Sequence, residues 1–152
     1  MPVTRPNKVQ KARSPHGAGA FDLGLDVTNP IDVHRELLAG LPFSSLAKFE
    51  RASKLTWSEI ARIIGVPART LARRKQKKTK FRPDESERLY RLASLYRLAI
   101  ELFDGDEAAA KHWLESPRKA FGGASGFELA RTEVGARRVE SLIHQLENGV
   151  FA

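Results

Sequence analysis

The chain has 152 residues, a formal net charge of +8 from 26 Lys and Arg against 18 Asp and Glu, and no cysteine. That length supports a sizeable core, as one domain or two small ones. The lack of cysteine excludes disulfides and thiol chemistry and fits a reducing cytosol. The Pro-rich basic start has no apolar core, so it does not read as a signal peptide, and no apolar run reaches a membrane span. The charge is uneven. Residues 41–80 hold eleven Lys and Arg against two acids, whereas residues 81–152 hold ten against twelve. A polyanionic partner therefore belongs to the first of these stretches.

In chain order, residues 1–28 read as a disordered basic arm. Arg5, Lys8, Lys11 and Arg13 occur there among prolines and glycines, with no acid before residue 21. Asn29-Pro30 is a cap-then-proline helix start, and Gly40 ends that helix, which carries Ile31, Val33, Leu37 and Leu38, with Leu41 just beyond. Ser44 or Ser45 is the expected cap of a second short helix with Leu46, Phe49 and Ala52. These two helices would complete a small domain over residues 29–80.

The centre of that domain is the stretch from Leu55 to Lys75. Thr56 and Glu59 have the spacing of a capping box. Ile60, Ile63 and Ile64 recur at helical spacing, and Ala61 is small where a second helix must cross. Gly65 suits the positive φ of a tight turn, and Pro67 the start of the next helix. With Val66 and Leu71 turned inward, Ala68, Arg69, Thr70, Arg73 and Arg74 face out, followed by the basic run of Lys75, Lys77 and Lys78. This is a helix-turn-helix pattern. Arg can bond guanine bidentately, Thr and Ala can touch the thymine methyl, and lysines can meet phosphates. The alternative is a two-helix corner with a solvated basic face. Arg74 departs from the pattern, since such motifs bury an aliphatic there; its stem would have to snorkel.

Asp84, with Glu87, is the expected cap of the longest helix, running to about Phe103 within a connecting segment 81–105. Its apolar residues cover more than one face, which marks burial on several sides and a dimer surface, or a core element alone. Asp106 caps the next helix, to Leu114. A turn-rich stretch follows, from Pro117 to Gly126. Its glycines lack the preceding strand that a phosphate loop needs. Thr132 then caps a last helix with Val134, Val139, Leu142, Ile143 and Leu146 inward. Arg137, Arg138, Glu140, His144 and Glu147 form its charged side, and Val150-Phe151-Ala152 an apolar tip. The four histidines are scattered, with no metal motif and no nucleophile constellation. No catalytic residue, metal or cofactor is expected. The fold class is all-α.

Several blocks together resemble the Xre-type antitoxins of RES–Xre toxin–antitoxin pairs, which share a C-terminal domain with MbcA and ParS proteins. They are Gly40-Leu41-Pro42, Leu55 to Gly65, Arg69-Thr70-Leu71 with Arg73-Arg74, and the helix start from Asp84 to Leu89. Further on they are Trp113-Leu114 with Pro117, Ala120-Phe121-Gly122-Gly123, Glu128-Leu129-Ala130, Thr132 to Ala136, Val139-Glu140 and Glu147 to Ala152. The resemblance spans roughly residue 40 to the end. In that family the Arg-Arg pair at Arg73-Arg74 is tolerated. Gly126 stands where the family has proline, which implies a looser turn.

The resemblance implies a non-enzymatic cytoplasmic antitoxin. Residues 106–152 would bind and block a RES-domain toxin that consumes NAD⁺, through Arg137, Arg138, Glu140, His144, Glu147, Val150, Phe151 and Ala152. Operator DNA would be held by Ala68, Arg69, Thr70, Arg73, Arg74, Lys75, Lys77 and Lys78, in a homodimer within a larger complex with no membrane partner. The other class left open is a stand-alone helix-turn-helix regulator whose C-terminal half only dimerises.

Overall fold

The computed structural model describes residues 21–149, and these are helical with no strand. The first helix, α1 (Pro30–Ala39), starts where Asn29 accepts from Ile31 N at 3.1 Å. It ends at Gly40, with φ of 88°. A Cβ there would lie 2.2 Å from the Phe81 carbonyl oxygen, so only glycine lets these two strands of chain meet. Phe81 N donates to Leu41 O, and Leu41 N donates to the buried Ser86 hydroxyl oxygen.

Helix α2 (Phe43–Ser53) begins after Pro42, not after Ser44 or Ser45. Ser45 is buried inside the first turn and donates to Leu23 O at 2.9 Å. That bond belongs to a larger correction. The segment from Phe21 to Thr28 is part of the fold, so the expected arm does not reach residue 28. Phe21 and Leu23 are buried, and Asp22 is ion-paired with Arg97 at 2.8 Å. Residues 1–20, which hold the rest of that arm, lie outside the described residues.

Helices α3 (Trp57–Ile64) and α4 (Ala68–Lys77) follow, then the long α5 (Pro83–Leu102). The cap of α5 is Arg82, with Pro83 in the first turn and Glu85 accepting from Arg82 N at 2.9 Å. Asp84 and Glu87 are therefore not its capping pair. Asp84 sits inside the first turn and pairs with Arg82 and Arg88 at 3.0 and 3.1 Å.

The chain then turns at Asp104 and Gly105, both at positive φ. Helix α6 (Glu107–Glu115) is capped by Asp106, and α8 (Glu133–Glu147) by Thr132. The intervening turn-rich stretch holds a short 3-10 turn (Lys119–Phe121) and a helix, α7 (Gly126–Leu129), capped reciprocally by Ser125 and Glu128. Gly126 is not loose: it is buried, and a Cβ there would meet Leu114 at 3.0 Å.

Helix α5 is the spine. Leu89, Leu92, Ala93, Leu95, Tyr96 and Ala99 are buried along it, against α1 and α3 on one side and α6 and α8 on the other. Tyr96 joins the parts. Its ring stacks on Phe21 at 4.8 Å and meets Phe49 edge-on and Phe127 tilted, while its hydroxyl donates to Ser53 O. Burial pushes the Tyr96 phenol up from its ordinary value. One side of α5 is thus covered within the chain, while Tyr90, Leu98, Ile100 and Leu102 on it are only half-buried. No helix among the described residues is long and apolar enough to cross a membrane.

Candidate functional site

The first site is the α3–turn–α4 unit. Thr56 Oγ1 accepts from Glu59 N while Glu59 accepts from Thr56 N, which fixes the start of α3. Ile60, Ile63 and Ile64 are buried, and Gly65 turns the chain at φ 68°. Val66 and Leu71 are buried and seat α4 on α3. Pro67 is the cap residue of α4, one position earlier than its first turn.

With α4 seated, Ala68, Arg69, Arg73, Lys75, Lys77 and Lys78 are exposed and Thr70 is half-buried. Lys75 Nζ lies 5.2 Å over the Trp57 ring, which stacks on Phe43 and donates through Nε1 to Glu50. One lysine of the basic flank thereby has its ammonium drawn to an indole face of the fold.

Arg74 is the correction here. It is neither outward nor snorkelling: its guanidinium donates to Glu85, with the two side chains only 15% and 7% exposed, and lies over Phe81 at 5.5 Å. It fastens α4 to the spine and leaves the outward set. The aliphatic usually found there is replaced by a charge whose partner α5 supplies. Arg88 of α5 adds a second tie, donating to Ile64 O at the end of α3.

The second site is the solvent side of α8. Arg137, Arg138, Glu140, His144 and Glu147 are all exposed there, as the sequence indicates. Arg137 donates to Glu133 at 2.9 Å, Arg138 to Ala120 O at 3.3 Å, and His144 lies between Glu140 and Glu147 at 3.7 and 3.4 Å. Hydrogen bonds from Arg137 and then Arg91 hold the Glu133 carboxyl below its ordinary range. Val150, Phe151 and Ala152 lie outside the described residues.

Val134 was expected inward and is not: it is 81% exposed. Val139 and Ile143 are the fully buried members of the stripe, with Leu142 and Leu146 half-buried. At the root of the turn beside α8, Arg118 lies over the Trp113 ring at 4.5 Å, and its desolvation lowers the guanidinium from its ordinary value. No group of acids and histidines suited to a metal occurs among the described residues.

Two groups of residues missed by pattern carry weak signals of different kinds. Phe21 and Leu23 flank a single acid just before the first clear cap, an alternation that marks a docked segment. Ser125 and Glu128 have capping-box spacing inside a stretch dominated by glycine.

A glycine-turned helix pair with a basic outer face, fixed by one spine to a second helical unit, defines a helix-turn-helix protein with an appended interaction domain. Residues 32–94 match the family described as the antitoxin Xre-like helix-turn-helix domain, and residues 98–149 the antitoxin Xre/MbcA/ParS C-terminal toxin-binding domain. The chain is similar to three proteins named Antitoxin Xre. One from Yersinia enterocolitica is 42% identical over 62% of this chain and 64% of the relative. One from Photorhabdus laumondii is 34% identical over 74% and 76%, and one from Pseudomonas putida 30% over 82% and 76%. The chain belongs to the Xre antitoxin family, which is not a family of enzymes.

Proposed function

We propose that this chain neutralises a RES-domain toxin that consumes NAD⁺ and represses its own operon in the cytoplasm. The observation that carries this is that two exposed charged faces lie on different helices joined to one spine: the basic face of α4, tied to α5 by Arg74 and Glu85, and the charged face of α8, tied to it by Glu133 and Arg91. Arg69 and Arg73 read base edges, Ala68 and Thr70 touch methyl groups, and Lys75, Lys77 and Lys78 meet phosphates. Arg137, Arg138, Glu140, His144 and Glu147 meet the toxin, with the tip of Val150, Phe151 and Ala152 as an apolar anchor near its active-site mouth.

A homodimer suits a two-fold operator. The half-buried side of α5, with Leu98, Ile100 and Leu102, is one surface for it. Ile31 and Leu38 of α1, large apolar side chains in the DNA-binding half and 57% and 60% exposed, are another. The test is co-expression with the protein encoded by the adjacent gene, followed by growth and cellular NAD⁺. Co-purification and restored NAD⁺ support the reading; a partner that does not co-purify, with NAD⁺ unprotected, ends it.

A further inference from the structure

Val134 stands on the first full turn of α8 with four-fifths of its surface in solvent. A single exposed valine is ordinary on a protein surface. What distinguishes this one is how its turn is held. Gly135 packs backbone to backbone, so that a Cβ there would lie 2.1 Å from Leu129 O. Thr132 caps the turn, accepting from Gly135 N at 3.0 Å. Arg91 of the spine donates to Ala130 O at 3.3 Å and to Glu133 at 3.2 Å. The turn is fixed from the cap, the spine and the preceding helix, and valine itself has little rotamer freedom in a helix. An apolar group presented this rigidly loses little entropy when a partner covers it.

The surroundings state the partner's chemistry. Arg137, Arg138 and Ser141 share the face of Val134 at helical spacing and are exposed. The acids beside that face are engaged: Glu133 by Arg91 and Arg137, Glu140 by His144. Arg138 is drawn to Ala120 O, next to the exposed Lys119. The face is therefore one apolar side chain with a net positive rim, Arg137, Arg138 and Lys119 standing beside Glu133, which Arg91 also neutralises, in a half of the chain whose sum is slightly acidic.

We propose that this face, headed by Val134, docks the toxin, and that the toxin offers an apolar pocket edged by carboxylates. The proposal rests on the toxin-binding reading above and adds to it an apolar contact at the opening turn of α8. The side chain enters the pocket, and Arg137 and Arg138 face the carboxylates around it.

The test is calorimetric titration of the full-length chain with the adjacent gene's product, alongside melting curves. Val134→Ala weakens binding about tenfold, as loss of a buried valine side chain does. Val134→Asp weakens it by about a hundredfold, because a carboxylate then meets carboxylates. Both variants melt as the parent does, and Arg137→Glu flattens the dependence of affinity on salt. Parent-like binding by both Val134 variants overturns this proposal and leaves toxin binding standing. Loss of affinity with an equal loss of melting temperature also overturns it, as a structural effect. A parent chain that does not bind overturns both readings.

Discussion

The Arg74 guanidinium donates to the buried Glu85 carboxylate, eleven residues away, and so pins α4, the second helix of the helix-turn-helix, to the long helix α5. Glu85 also caps the start of α5 by accepting from Arg82 N. Removing either partner leaves a buried charge without its counter-charge, which costs about 3–5 kcal/mol. Arg74→Ala and Glu85→Ala are thus expected to unfold at clearly lower denaturant than the parent, whereas Arg69→Ala unfolds as the parent does. Equilibrium unfolding in urea measures this.

Arg69 and Arg73 are exposed and carry no structural contact of this kind. Either substitution to alanine is expected to cost about 1–3 kcal/mol on the cognate site if the residue bonds a base. Lys77→Ala is expected to weaken all sequences alike and to reduce the salt slope by about one. Promoter-fragment titrations at several salt concentrations separate the two behaviours.

Gly135 faces Leu129 O so closely that alanine cannot be accommodated without moving α8 off α7. Gly135→Ala is expected to destabilise by well over 1 kcal/mol, more than the roughly 1 kcal/mol for losing the Thr132 cap in Thr132→Ala. Thermal unfolding ranks the two.

Glu133 is held below its ordinary value of 4.5 by Arg137 and then by Arg91. A carboxyl whose folded value is depressed adds stability above its unfolded value and loses it as pH falls through the folded one. Glu133→Gln is therefore expected to melt below the parent by a constant margin at neutral pH. That margin closes as the pH drops below about 5. Melting curves from neutral pH to pH 3 follow it.

Most helix boundaries were legible because their signals are local. Asn29-Pro30, Thr56 with Glu59, Gly65, Asp106 and Thr132 all act within four residues of themselves, and each sits where the sequence placed it. The start of α5 was open to the same cap-then-proline logic through Arg82-Pro83, but the acid at Asp84 was the stronger pattern. What was not legible depends on contacts far along the chain. Nothing near Phe21 announces Tyr96, and nothing near Arg74 announces Glu85. Periodicity put Val134 inward because it counts spacing alone; Gly135 brings the helix onto Leu129 one residue later and turns Val134 out. The basic face of α4 was readable as a set, with Arg74 as the exception. The charged side of α8 was readable as exposed, but not its apolar head.

The double variant Arg69→Ala/Arg73→Ala probes whether one chain carries two separable interfaces. Cells co-expressing the adjacent toxin with this variant are assayed for growth and NAD⁺, and the purified variant for promoter binding. Full protection of NAD⁺ together with loss of the promoter shift is expected. Loss of protection in a variant that still folds, or an unchanged promoter shift, would contradict it.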